Sequence, residues 1–245
     1  MPNDTYKTAS IEEALSRTDY PGRGIIIGKS PDGSRAMTAY FIMGRSDNSK
    51  NRVFREEGED VVIYPYDYSK VEDPSLIIYS PVRRFGGSLI VTNGDQTDTI
   101  YDHLVKGQDF RAALRTREFE PDRPNWTPRI SGILNFREPD FKGDFTYEMS
   151  ILKSVDSEGT GCARYFYEYP SVAGLGHFIH TYEENGEPIP TFRGEPERVS
   201  MPEDLGSFAK AVWDSLDEDK KISMYACVID LETGVRTSEL INKNV

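Results

Sequence analysis

The chain has 245 residues, with 37% apolar and 29% charged side chains and a net charge of −12 from 29 basic and 41 acidic residues. That length supports a sizeable core, in one large domain or two small ones. The acidic balance excludes a duplex-binding footprint, which would be basic, so an anionic small molecule needs a locally basic pocket.

No run of about 18 apolar residues marks a membrane span. The polar start Met1-Pro2-Asn3-Asp4 lacks the apolar centre of a signal peptide. These features predict a cytoplasmic protein with neither membrane nor nucleic-acid polymer as partner. Cys162 and Cys227 are too few for a disulfide framework and read as small buried or half-buried thiols.

Ser10-Ile11-Glu12-Glu13-Ala14-Leu15 reads as a short helix capped by Ser10, with acids in its first turn. Lying ahead of the first core strand, residues 1–20 are expected to be a helical appendage. Gly24–Gly28 and Ala36–Met43 flank Ser30-Pro31-Asp32-Gly33-Ser34 and predict a hairpin. It leads into Gly44-Arg45-Ser46-Asp47-Asn48-Ser49-Lys50-Asn51-Arg52, a loop with three cations and many neutral donors. Such a loop can surround a phosphate or simply be solvated. Val61–Pro65 and Leu76–Tyr79 predict strands, the second after an Asp73-Pro74 turn. Val82–Val91, broken at Gly86-Gly87, predicts another hairpin.

The most informative stretch is Ser88 to Arg129. Ser88–Thr92 is a β-branched strand, Asn93-Gly94-Asp95-Gln96 is turn chemistry, and helical spacing follows through Ile100, Leu104 and Val105. Asp98 or Thr97 can cap that helix and Gly107 can end it. A second helical piece spans about Asp109–Arg117. A strand end feeding a capped helix gathers backbone N–H groups and polar side chains, a common place for a small polar ligand. Equally, Asn93-Gly94 reads as a turn and Asp98 as a cap. Arg129, at the edge of an apolar run, is either paired with an acid or aimed into a pocket, and is a candidate anion binder.

Beyond Asn135, Phe145–Val155 and Ala163–Tyr169 predict two long strands that, with Gly176–Tyr182, would supply a second sheet. Phe166, Tyr167, Tyr169, Phe178 and Tyr182 are expected to pack between layers. Glu183–Glu197 reads as a loop. A helix is expected from Ser200-Met201-Pro202-Glu203-Asp204 to Leu216, with Leu205, Phe208, Ala209, Val212 and Trp213 on one face. Met224–Leu231 predicts the last strand. His177 and His180 fall on opposite faces of a strand, which argues against a shared metal. With no repeat and no low-complexity linker, residues 1–245 read as one domain.

Several of these stretches together resemble the archaeal-type inosine monophosphate (IMP) cyclohydrolase family. They are Gly22-Arg23-Gly24-Ile25-Ile26-Ile27-Gly28, the Arg45–Arg52 loop, Asp73-Pro74 through Tyr79, Val91–Ile100, and Thr127-Pro128-Arg129-Ile130. The resemblance covers roughly Pro21 to Ile133 and thins afterwards to Thr181-Tyr182 and the late helix. It implies an α+β fold, the four-layer α-β-β-α sandwich of two mainly antiparallel sheets seen in N-terminal-nucleophile (Ntn) hydrolases. The nucleophile itself is lacking, since Tyr20-Pro21-Gly22 before the first strand holds no Ser, Thr or Cys.

The implied reaction closes the ring of 5-formamidoimidazole-4-carboxamide ribotide, with loss of water, to inosine monophosphate. The implied catalytic residues are Arg52, Tyr79 and Glu120. The substrate-binding set is Arg45, Ser46, Asn51, Asn93, Gly94, Thr97, Asp98 and Arg129. The chemistry requires no cofactor and no metal. A purine ribotide is the expected partner, and a homo-oligomer, dimer or tetramer, is implied. Three other readings stay open: a purine-nucleotide-binding protein without turnover, an amidohydrolase acting on another small amide, and a purely structural sandwich domain that binds no purine ribotide.

Overall fold

The computed structural model describes residues 6–71 and 78–244. Among these, the β-branched and aromatic runs all become strands, and the helices are short. In chain order the elements begin with α1 (Ile11–Leu15), β1 (Arg23–Lys29), β2 (Arg35–Met43), α2 (Asp47–Lys50), β3 (Val53–Glu57) and β4 (Asp60–Tyr64). There follow β5 (Val82–Phe85), β6 (Ser88–Thr92), α3 (Gln96–Val105), α4 (Phe110–Arg115), β7 (Arg129–Phe136), β8 (Phe145–Ser154) and β9 (Cys162–Pro170). The last are β10 (Leu175–His180), β11 (Glu197–Ser200), α5 (Leu205–Ser215), β12 (Lys221–Asp230) and β13 (Arg236–Asn242).

The strands form two sheets, ordered β11-β10-β1-β2-β12-β13 and β3-β4-β5-β6-β7-β8-β9. Neighbouring strands pair antiparallel, with Arg23 opposite Ile42 and Thr92 opposite Ser131. Period-2 alternation splits each sheet's side chains between two cores. Ile25, Ile27, Tyr40 and Tyr225 of the first sheet meet Leu89, Leu134, Tyr147 and Met149 of the second in the central core. Each such aliphatic side chain contributes about 1.5–3 kcal/mol by leaving water. The outer face of the first sheet (Ile26, Phe41, Phe178, Met224) is covered by α1 and α5. The outer face of the second (Ile90, Ile133, Leu152) is covered by α3 and α4. The result is a sandwich of two antiparallel sheets with helices on both outer faces.

Two details hold the sheets together. At Gly132 a side chain would meet Ile27 Cδ1 at 2.6 Å, so glycine lets β7 approach β1 closely. At the opposite side Asn242 of β13 accepts from Phe54 N at 2.8 Å and donates to Phe54 O at 3.0 Å, joining one sheet's edge strand to the other's.

Several expectations change. The stretch expected as an appendage is packed: Ile11, Ala14 and Leu15 are buried against α5, under a complete Ser10–Glu13 capping box. β8 and β9 do not found a second sheet with β10. They extend the sheet of β3–β7, and β10 joins β1 and β2, so the halves of the chain interleave. The crossing from β9 to β10 takes only the short connection 171–174, and periodicity does not reveal which edge a strand joins. α3 begins at Gln96 with Asp95 in the cap position and no side-chain cap bond, so neither Thr97 nor Asp98 caps it. The Asp73-Pro74 turn and Leu76-Ile77 lie outside the described residues, and Ile78 and Tyr79 are not in a strand. The helix α2 and the edge strands β11 and β13 were not expected.

Candidate active site

Antiparallel pairing brings the start of β1, the ends of β2, β6 and β10, and the start of β7 to one end of the sandwich. A cavity of about 800 Å³ opens there, within the size range of small-molecule sites.

The floor is made by Arg23, Arg52, Tyr79 and Glu120. Arg23 opens β1, and its backbone is pinned by Thr181, whose N–H donates to Arg23 O at 3.0 Å while its hydroxyl accepts from Arg23 N at 3.1 Å. Arg52 follows α2 and leads into β3. Its Nε is buried without a hydrogen-bond partner among the described residues. Burial and the like charge of Arg23 push the Arg52 guanidinium below its ordinary value. Tyr79 is buried, and its hydroxyl lies 3.1 Å from that of Tyr40 on β2. Burial pushes both phenols up, Tyr40 furthest. Glu120 sits in the loop after α4, where its N–H donates to Thr127 O at 2.9 Å. Burial raises its carboxyl above the usual range, even though Arg23, Arg129 and Arg52 pull the other way. The floor therefore holds two guanidiniums, a phenol and a carboxyl, with no hydrogen-bonded ion pair among the four.

The wall at the β6–α3 corner is different. Asn93 is buried and its side chain accepts from Ile130 N at 2.9 Å and Gln96 Nε2 at 3.0 Å, and donates to Pro128 O at 2.9 Å. Arg129 donates to Gln96 Oε1 at 2.7 Å and pairs with Asp95 at 2.7 Å. Arg117 contacts both oxygens of Asp95 at 2.6 Å. Burial pushes the Asp95 carboxyl up, but these two guanidiniums outweigh it and hold it below the usual carboxylate range. At Gly94 any side chain would strike the Arg129 guanidinium and Gln96, which explains the glycine.

The rim carries Arg45, Ser46, Asn48 and Ser49. Arg45 donates to Asn185 Oδ1 and Gly186 O, both at 2.8 Å, and lies over the Tyr20 ring. Among the described residues it makes no salt bridge, so its charge is not cancelled. Ser46 caps α2 by accepting from Ser49 N at 3.2 Å.

Of the eleven residues predicted from sequence, eight line this cavity: Arg52, Tyr79, Glu120, Arg45, Ser46, Asn93, Gly94 and Arg129. Three do not. Asn51 is buried and clasps the backbone of Asp67 at 2.6 and 2.8 Å. Thr97 is buried and bonded to Thr92 Oγ1 at 2.6 Å and Gly94 O at 3.0 Å. Asp98 points outward to Arg83 at 2.7 Å. Each is a polar residue whose side chain turns into the fold or away from the cavity, a choice that sequence spacing does not record.

Sequence reasoning passed over Arg23, Tyr20, Asp95, Asp122, Thr127 and Tyr182 as site residues. Arg23 carried a signal, a cation between two glycines at the start of an apolar strand. Tyr182 was expected between layers. Its ring is buried, but its hydroxyl reaches the cavity wall. His177 and His180 do fall on opposite sides of β10, one bonded to Tyr147 Oη at 2.7 Å and the other to Tyr182 O at 2.7 Å.

A cavity at the end of a two-sheet sandwich, with guanidiniums that make no salt bridge among the described residues beside a carboxyl and a phenol of raised pKa, has the features of a small-molecule site. The chain matches the family of IMP cyclohydrolase-like proteins over residues 20–234 and belongs to it. It is 31% identical to an IMP cyclohydrolase of Methanococcus maripaludis, over 69% of this chain and 92% of that protein. It is also 31% identical to one of Methanopyrus kandleri, over 71% of this chain and 89% of that protein. A third, from Methanococcus aeolicus, is 28% identical over 67% and 74%.

Proposed function

We propose that the chain is an IMP cyclohydrolase, closing 5-formamidoimidazole-4-carboxamide ribotide to inosine monophosphate. The observation that carries this reading is the cavity floor of a family member. There, unpaired guanidiniums stand beside a phenol and a carboxyl whose proton affinities burial has raised.

In the reaction a C–N bond forms between the carboxamide nitrogen and the formyl carbon, and the formyl oxygen takes the electron pair. The carboxamide nitrogen then loses one proton and the formamido nitrogen another, a C=N bond forms between the formamido nitrogen and the former formyl carbon, and the former formyl oxygen takes both protons and leaves as water. Both reacting groups belong to one molecule, so the site supplies a productive rotamer, a charge partner and a proton path. Arg52, with Arg23 behind it, faces the developing oxyanion, a role worth about 10²–10³ in rate. Glu120 accepts each nitrogen's proton in turn and returns it to the leaving oxygen. Its raised pKa favours a group that must take up a proton and then give it back. Tyr79, backed by Tyr40, relays between them.

Arg129 shares Asp95 with Arg117, whereas Arg45 makes no salt bridge among the described residues, so the phosphate is assigned to Arg45 with Ser46, Asn48 and Ser49. Asn93 and Gly94 form the wall beside the base. We read the sandwich as the Ntn-hydrolase-like fold used without its nucleophile, because Arg23 stands at the start of β1.

An absorbance assay of the purified protein with the formamido ribotide, in buffer with a chelator, tests the reading. Prompt formation of inosine monophosphate is expected. Tight product binding without turnover would replace it with a binding protein, and neither turnover nor binding would sink it.

A further inference from the structure

The loop from α4 to β7 contains a hydrogen-bond chain that the reaction above does not use. Asp122 accepts from Thr127 N at 2.6 Å through Oδ1 and from the Thr127 hydroxyl at 2.5 Å through Oδ2. Thr127 Oγ1 lies 2.6 Å from Tyr182 Oη, in the buried interior. A carboxylate only accepts hydrogen bonds. The Thr127 proton is therefore committed to Asp122, and the Tyr182 hydroxyl must be the donor in its bond to Thr127. That leaves only a lone pair of Tyr182 for the cavity.

The ring cannot swing away. Tyr182 is 1% exposed, stacks on Tyr20 with centroids 5.8 Å apart, and lies where any side chain on Gly22 would strike it. Burial pushes its phenol up to about 12, so it stays protonated and the donor assignment holds at neutral pH. The cation whose charge acts on it is Arg23, which lines the same cavity.

We propose that Asp122 is a positioning residue for the cyclisation. Through Thr127 it fixes the direction of the Tyr182 O–H bond, so that the Arg23 side of the cavity meets an acceptor rather than a donor. An acceptor steadies the Arg23 guanidinium, whereas a donor opposes it. The idea rests on the cyclohydrolase reading for its kinetic consequence, but the proton direction itself does not.

Asp122→Asn is the informative variant. Its amide oxygen keeps the Thr127 N–H bond while its NH₂ donates to Thr127 Oγ1, turning the Thr127 proton to Tyr182 and the Tyr182 proton into the cavity. kcat/KM is expected to fall about tenfold, the effect of one reversed buried hydrogen bond. A double-mutant cycle with Tyr182→Phe separates positioning from loop support. In the Tyr182→Phe background the Asp122→Asn change should have almost no further effect. An undiminished tenfold loss there, or no loss in the parent, overturns the proposal.

If Asp122→Asn does not fold, Thr127→Val run through the same cycle decides, since it cuts the relay and leaves the Asp122 contact to the backbone. A ligand-free readout keeps the two readings apart. The tyrosine ¹³Cζ resonance of Tyr182, assigned by its loss in Tyr182→Phe, should shift in Asp122→Asn. An unmoved resonance refutes the proton direction even in an active enzyme. A shifted resonance in a protein that does not turn over the ribotide leaves the direction standing and removes only the cyclohydrolase reading.

Discussion

The β6–α3 corner and the cavity floor face each other across the same space and treat their polar groups in opposite ways. At the corner Asn93, Gln96, Arg129 and Asp95 bond one another and the backbone, and of their side-chain atoms only Arg129 Nε is buried without a partner among the described residues. On the floor Arg52 keeps a buried Nε without a partner among the described residues, and Glu120 sits near three guanidiniums with its pKa raised rather than lowered. A nearly saturated network stabilises a fold, because almost every buried polar atom has recovered the hydrogen bond it lost to water. Charges held apart from their counter-ions cost stability and persist where a ligand completes them. The corner is thus the scaffold and the floor the reacting surface, although both read as the same polar chemistry in sequence.

Glu120→Gln should break the contrast most strongly. Removing the proton acceptor is expected to lower kcat by about 10²–10⁴, measured with the folded variant under saturating ribotide. The same residue predicts a pH signature. Folding raises the Glu120 pKa above its ordinary 4.5, so the folded protein binds that proton more tightly than the unfolded chain does. The stability from this group is full below the unfolded pKa and falls as pH rises through the folded one. Denaturant unfolding should show the parent losing stability above pH 4.5 relative to Glu120→Gln. The acidic limb of the parent's kcat profile should likewise lie above 4.5, since the base must be ionised. A limb at or below that value would contradict the assignment.

Arg52→Met comes next. A loss of about 10²–10³ in kcat is expected, with melting temperature unchanged or higher, because an apolar chain of similar length removes a desolvated charge. A large loss of stability would instead put Arg52 among the scaffold residues.

Asn93→Ala should do the reverse. It strands Ile130 N, Pro128 O and the Gln96 amide, and is expected to cost about 2–4 kcal/mol of unfolding free energy. Any loss of activity should follow the loss of folded protein in a denaturation series. The smallest effect is expected from Tyr40→Phe. Tyr79 keeps its hydroxyl and loses one neighbour, so kcat should fall by only about threefold to tenfold.

What the sequence determined by itself was local. Ser10 as the cap of α1, Ser88–Thr92 as a strand, the hairpin around Pro31–Gly33 and the apolar face of α5 each follow from spacing and turn chemistry within a few residues. The motifs quoted from Gly22 to Ile130 also located most of the cavity, because its residues cluster at strand ends where turn chemistry is visible.

Only the tertiary structure decided the rest. The edge that β8, β9 and β10 join depends on competition among sheets, and the strands' own patterns suit either. Residues 1–20 look detachable until α1 is seen burying Leu15 against α5. Asn51 and Asn93 are the same side chain in similar polar loops, yet one clasps Asp67 away from the cavity and the other forms its wall. The direction of a side chain depends on which backbone groups the fold leaves unpaired nearby, and those come from segments far away in the chain. Arg23 became a site residue for the same reason: β10 and the loop after α4 close around it, from more than 90 residues further along.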